Sequence, residues 1–412
     1  MKIKFAFLAL LAVTAILLQC KKSDDEKPKQ NPAEFSCEDS PVTCDLTASN
    51  GLFAIDLFKK MQEEEPDGNI FISPFSISTA LTMTANGANG PTLDAMRNSL
   101  RITGLSMASV NDSYQQLLEV LPALDPLTKL KLANSIWPKK DYPVLPSFLS
   151  LNADYFNSEV IPVDFKDPAV IQQVNDWVEN NTDGLIKETL QELPADVVML
   201  LINAIYFKGA WKTEFDPENT HQAEFYAPND TVTVDMMHIP VNDFAYFQTD
   251  LFQAIDLPYG DSIFSMSIFL PNAGHEVSEV IAELTPANWD LWISSFQTKP
   301  VELFLPKFKL EYEKKLKRTL SGMGMEVAFS DLADFTNMID GGGVKIDEVI
   351  HKAFVEVNEQ GTEAAAVTVV VIIENSASIT PTVNVNRPFL FVIRDNKTNS
   401  ILFMGKVLNP VG

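Results

Sequence analysis

Downstream of Ser49-Asn50, the apolar residues Leu52, Ile55, Leu57, Phe58 and Met61 recur at the spacing of one helix face and predict a first amphipathic helix. Ser73-Pro74 predicts the start of a second. Ser can accept from the first-turn amides and Pro fits the first turn, and the apolar positions run on through Ile77, Leu81 and Met83 to Gly87. Further helical patterns cover 92–100, 109–122, 146–157 and 168–181. Over 197–211 the character changes. VVMLLINAIYFKGAW has few polar residues and many β-branched or aromatic ones, as a central strand covered on both faces requires. Strand patterns then dominate, over 231–237, 252–257, 264–270, 301–306, 344–358 and 389–394. Helices early and strands late make the fold class α+β, built around large mixed sheets.

The N-terminus follows a different pattern. Lys2 and Lys4 precede an uncharged run from Phe5 to Leu18, too short for a membrane span and with its basic end first, which reads as a secretory signal over residues 1–19. Leu17-Leu18-Gln19-Cys20 resembles a bacterial lipobox, although Gln19 stands where a small residue is usual. That resemblance implies acylation of Cys20, a membrane anchor through the lipid, and an outer-membrane lipoprotein facing the periplasm or the cell surface. Residues 20–47 are polar, contain Pro28, Pro32 and Pro41, and read as a flexible tether. Within it, Ser23-Asp24-Asp25-Glu26 resembles a surface-export signal of lipoproteins and reads equally as a solvated charge run. Cys37 and Cys44 remain as a pair in an oxidising compartment, a disulfide candidate with two free thiols as the alternative.

From residue 48 to 412 the composition is even and read as one domain. The chain carries 31 Lys and Arg against 55 Asp and Glu, a formal charge of −24, which repels a phosphate backbone and excludes general nucleic-acid binding. Catalytic machinery is missing. None of His221, His238, His275 and His351 sits in a metalloprotease motif, no Gly-x-Ser-x-Gly elbow exists, and no metal or cofactor motif is found. Gly260-Asp261-Ser262-Ile263 resembles a hydrolase nucleophile motif, but it lies between two strand patterns after Pro258-Tyr259 and reads as a hairpin turn. Gly341-Gly342-Gly343 lacks P-loop spacing and reads as a flexible connection.

Residues 359–388, EQGTEAAAVTVVVIIENSASITPTVNVNRP, are unlike anything else in the chain. Three alanines are followed by a nearly continuous β-branched run, which by propensity is a buried strand and if exposed is an aggregation hazard. Here Glu359-x-Gly361-Thr362-Glu363-Ala364-Ala365-Ala366 resembles the hinge of inhibitory serpins. Four other motifs match that family at its spacing. Asn69-Ile70-Phe71-Ile72-Ser73-Pro74-Phe75-Ser76-Ile77 is similar to its second-helix entry. Asn203-x-x-Tyr206-Phe207-Lys208-Gly209-x-Trp211 is similar to the strand ending at its breach. His351-Lys352-Ala353 leads to the hinge, and 386–391 with 401–405 is similar to the C-terminal signature. The resemblance covers essentially 48–412.

It implies a serpin fold of three β-sheets with about eight to nine helices and a reactive loop at about 359–386. It also implies a monomeric suicide inhibitor, not an enzyme, without cofactor, whose partner is a serine protease. Ser73, Ser76, Asn203 and His351 match the shutter and Trp211 the breach. On insertion, Thr362, Ala364 and Ala366 would face the core without a desolvation penalty, and Glu363 the solvent. Between Lys352 and Arg387 there is no Lys or Arg, and between Phe354 and Phe389 no aromatic, Leu or Met. An elastase-like target is therefore favoured, with Asn- or Glu-directed and papain-like cysteine proteases open. Counting forward from the hinge puts the scissile bond at Asn375-Ser376, and counting back from Arg387 puts it at Ala377-Ser378. The alternative is a non-inhibitory serpin serving as a surface binding module.

Overall fold

The computed structural model describes residues 35–193, 196–362 and 380–411. Helix α1 (Pro41–Glu64) leads through β1 (Ile70–Ile72) to α2 (Pro74–Ala85), α3 (Gly90–Ser99) and α4 (Met107–Val120). Strand β2 (Thr128–Pro138), α5 (Pro146–Phe156), β3 (Ser158–Val160), α6 (Ala169–Asn181) and β4 (Met199–Ala210) follow. The middle of the chain holds β5 (His221–Tyr226), β6 (Thr231–Gln248), β7 (Phe252–Pro258) and β8 (Phe264–Pro271), then α7 (Val277–Glu283) and α8 (Pro286–Ser294). Next come β9 (Gln297–Pro306), β10 (Phe308–Lys315), α9 (Lys317–Leu320), β11 (Ile350–Asn358) and β12 (Gly361–Thr362). The last strands are β13 (Thr382–Asn384), β14 (Phe389–Asp395) and β15 (Ile401–Val407).

A six-stranded sheet has the order β10-β11-β12-β4-β2-β3. The second network runs β1-β15-β14-β8-β7-β6-β9-β13, with β5 also on β6. It divides at a register shift between Ile239 and Asn242 of β6. One part holds β5, β13 and the first half of β6. The other holds the second half of β6 with β7, β8, β14, β15 and β1, so two of the three expected sheets are joined through β6 and β9. Helix α2 packs between the sheets against β4 and β15, and the main core fills the space around it. Every residue of β8, β14 and β15 is buried. A second apolar cluster lies on the other face of the six-stranded sheet, where Trp177 and Val174 of α6 cover Trp137 and Ala204.

Several expectations change. The first helix starts at Pro41, so residues 41–47 are not tether. Thr43, Leu46 and Thr47 are buried there, as is Phe35 ahead of the helix, and a disulfide joins Cys37 to Cys44. Polar residues on the buried face hid this turn. Thr43 donates to Gln116 Oε1, and Tyr114 donates to Asn50. Strand β6 passes through Pro240, at which the reading stopped, because Pro240 and Val241 fall in the bulge and need no ladder bond. The strand expected over 344–358 begins only at Ile350, after glycines 341–343 with positive φ. Strands β2, β3, β5 and β10 were not read at all.

Candidate functional site

The main sheet holds an incomplete strand. At the end of β11, Glu359-Gln360 form a two-residue loop that turns the chain back antiparallel. Asn358 pairs with Gly361 and Val357 with Thr362. On its other side β12 pairs with β4, Gly361 with Ala210 and Thr362 with Gly209. Among the described residues, β11 and β4 are joined in the sheet only through these two residues. Glycine is required at 361. Its φ is +146°, and a Cβ there would lie 2.1 Å from the Gly209 carbonyl oxygen.

Aromatic packing and hydrogen bonds fix this entry point. The Trp211 ring stacks on Tyr259 at 4.4 Å, and its indole nitrogen donates to the Asn358 carbonyl at 3.0 Å. The Trp211 amide donates to Gln360 O and the Phe215 amide to Glu359 O, both at 2.9 Å. The hydroxyls of Tyr259 and Thr362 bond at 2.7 Å, and both residues are buried. Burial pushes the Tyr259 phenol far above its ordinary pKa, so it stays protonated. Glu359 pairs with Lys307 at 3.0 Å and accepts from Thr220 at 2.9 Å. Burial works against its carboxylate, but its own amide, Lys307 and Thr220 together hold the pKa below the ordinary value.

Further down the same strands lies a buried polar cluster. The Ser73 hydroxyl caps α2 by accepting from the Ser76 amide at 3.2 Å and donates to the Leu402 carbonyl at 2.7 Å. The Ser73 amide donates to His351 Nε2 at 3.1 Å. An amide can only donate, so Nε2 is an unprotonated acceptor and the imidazole is neutral. Burial alone drives the His351 pKa down to about 3. The Ser76 hydroxyl donates to Asn203 Oδ1, Asn203 donates to Asn134 Oδ1 at 2.7 Å, and Asn134 donates to the Phe156 carbonyl at 2.8 Å. The cluster therefore ties α2 to β2, β4, β11 and β15.

All five shutter and breach candidates lie in these two clusters. Glu359, Gly361 and Thr362 of the hinge are at the entry point. Glu363, Ala364, Ala365 and Ala366, the reactive-site candidates Asn375, Ser376, Ala377 and Ser378, and Cys20 lie outside the described residues. Asn134, Tyr259, Lys307 and Thr220 were missed. Asn134 could have been found from the alternation of Leu130 and Leu132 that marks β2 as a strand. Ser262 sits in the β7–β8 turn at φ +69°, and its hydroxyl accepts from the Lys212 ammonium at 2.8 Å. That partner supplies a proton and cannot remove one, so Ser262 has no base. Among the described residues no group of three His, Cys, Asp or Glu side chains is placed to hold a metal.

A sheet with a begun strand entering beside a polar cluster defines a protein that accommodates a further segment of itself. Comparison with known proteins gives that class its family. The family model described as serpin (serine protease inhibitor) matches residues 48–410. An uncharacterized serpin-like protein of Thermococcus kodakarensis is 32% identical over 406 residues, covering 94% of each chain. Among solved structures, human thyroxine-binding globulin in complex with thyroxine superposes with a TM-score of 0.82 at 31% identity, covering 90% of this chain and 100% of that one. The thermophilic serpin tengpin in its native state gives 0.80 at 34% identity, covering 88% and 94%. The chain belongs to the serpin family and has the serpin fold.

Proposed function

We propose that the chain is a suicide inhibitor of serine proteases. Cleavage of the reactive loop gives an acyl-enzyme, and the freed hinge inserts into the six-stranded sheet before deacylation. The observation that carries this reading is the Glu359-Gln360 loop, which already directs the chain between β11 and β4. Continuing that register, Ala364 would come opposite Phe207 and Val355, Ala366 opposite Ile205 and Ala353, and Thr368 opposite Asn203 and His351. On β11 those partners are the buried side of an alternating strand, with His351, Ala353, Val355 and Val357 inward. Small uncharged side chains would thus enter the core, and Thr368 would bring a hydroxyl to the polar cluster. Glu363 would fall on the outer face opposite Lys208 and Glu356.

The loop's aliphatic, cation-free composition supports an elastase-like target, with cleavage at Asn375-Ser376 or Ala377-Ser378. Mixing the domain with an elastase should give a covalent complex that survives a denaturing gel, whereas clean cleavage without complex sinks the inhibitor reading. Similarity to a thyroxine complex favours the second reading, a binding module, which would show cleavage without trapping. Delivery completes the proposal. The basic-then-apolar N-terminus ending at Cys20 supports a lipid-anchored protein of the outer membrane, periplasmic or surface-exposed. Radiolabelled palmitate should be incorporated by the wild type and not by Cys20→Ala.

A further inference from the structure

The chain between α6 and β4 crosses the outer face of the main sheet over the seam where β12 enters. At the end of α6, Asp183 is gripped by both Lys129 and Lys131 of β2. Hydrogen bonds from Lys129 and then Lys131 hold its carboxyl at a pKa of about 2. A few residues on, Lys352 of β11 donates to the Glu188 carbonyl at 2.6 Å. Lys129 is paired across β2–β4 with Lys208, and β4 lies between β2 and β12. A segment held at one end from β2 and at the other from β11 must therefore span β4 and the seam. It lies close to the sheet, since Ile186 and Leu190 are buried in the cluster with Ala204 and Phe354. Asn175 of α6 fixes Leu190 by two bonds of 2.8 Å, to its amide and its carbonyl.

We propose that residues 182–190 are a strap across the insertion path, and that the grip of Lys129 and Lys131 on Asp183 sets how fast a strand can pass beneath it. The proposal rests on the insertion reading above. In that register Glu363 falls level with Lys208 and Val367 level with Lys352, so the strap crosses the path within the first few residues beyond Thr362. The apolar contacts of Ile186 and Leu190 keep the strap attached to the body, while the partly exposed Asp183 end is the weaker fastening and yields first. A tighter grip would slow insertion and let more of the acyl-enzyme hydrolyse. A looser one would speed insertion and let the loop enter uncleaved. The strap is thus a timing element distinct from the entry point and the polar cluster.

The test uses the whole domain, Asp183→Asn, the double variant Lys129→Gln/Lys131→Gln, and Lys187→Gln as a control. Lys187 lies on the same strap, but its ion pair is with Glu179 of α6 and does not span the seam. Two rates are measured: trapping of an elastase, as the ratio of covalent complex to cleaved inhibitor, and uptake of a synthetic peptide of residues 362–370, followed by mass spectrometry. Peptide uptake should rise roughly two- to tenfold in both grip variants, the effect of losing one or two exposed charge pairs. The complex-to-cleaved ratio should rise with it, and Lys187→Gln should match the wild type. Uptake and partition equal to wild type in both variants, with trapping intact, overturn the strap alone. If no protein traps protease or takes up peptide, the insertion reading fails and the strap's role with it. Amide exchange gives a check independent of protease. Protection at Ile186 and Leu190 should fall in Asp183→Asn, and unchanged protection also overturns the proposal.

Discussion

Acidification should unlock the polar cluster through one residue, His351. In the unfolded chain an imidazole takes its proton near pH 6.5, and in the fold His351 does so at about 3. Between these values the unfolded chain binds a proton that the folded one refuses, so stability falls as pH drops below 6.5 and levels off below 3. Above 6.5 the imidazole is neutral in both states and contributes nothing to the pH dependence. Each pH unit inside the window costs about 1.4 kcal/mol, which amounts to about 2 kcal/mol at pH 5. The structural cause is specific, because protonated Nε2 cannot accept from the Ser73 amide and the helix start loses its tie to β11. The assay is the thermal midpoint at pH 7, 6 and 5 for the wild type and His351→Gln, whose amide oxygen can replace the acceptor without titrating. Carboxylates common to both proteins cancel in the difference. For a domain of this size the wild type should lose roughly 3 °C more than the variant by pH 5. Parallel curves would refute the argument that burial keeps this histidine neutral.

Other consequences follow from the same geometry. Thr362→Arg places a charge where the native side chain is buried against Tyr259, at a cost of several kcal/mol if it enters, and should turn an inhibitor into a substrate, seen as cleaved chain without complex on a gel. Gly361→Ala should cost roughly 1–3 kcal/mol, both from its φ and from the clash with Gly209, and should lower the thermal midpoint of the uncleaved protein. Asn134→Ala leaves Asn203 without its acceptor and should destabilise by about 1–3 kcal/mol, read from urea unfolding. Between Lys212 and Lys299 the chain has no lysine or arginine, and this stretch includes β5 and β6 beside the strand that resumes after the loop. Association with a basic protease should therefore slow as salt rises, and a rate independent of salt would remove that steering.

The part of the site visible in the sequence is the part encoded locally. Gly361, Thr362 and the alanines after them stand out because a strand that must enter a packed sheet needs small side chains in consecutive positions. Ser73 shows itself through Pro74, since the cap and the first turn are neighbours in the chain. Tyr259 was read only as part of a turn. Its role depends on a bridge to Trp211 and a bond to Thr362, long-range contacts that no local pattern carries. The early start of α1 was hidden for the opposite reason, because Thr43, Thr47 and Asn50 look exposed in sequence but satisfy their polar groups inside. Grips such as that on Asp183 are equally silent, because charged residues on a strand read as solvent-facing.

The stacking of Trp211 on Tyr259 also makes the protein its own optical instrument. Trp137 and Trp177 lie in the cluster beneath α6, and Trp289 and Trp292 belong to α8, so Trp211 is the indole in contact with the hinge. Its ring nitrogen is bonded to the residue from which the hinge turns, and its face lies on the partner of Thr362. Any movement of the hinge into or out of the sheet must alter the polarity around that indole. The emission of one natural fluorophore, isolated by replacing the other four with phenylalanine, then reports the progress of the strand in real time without a label.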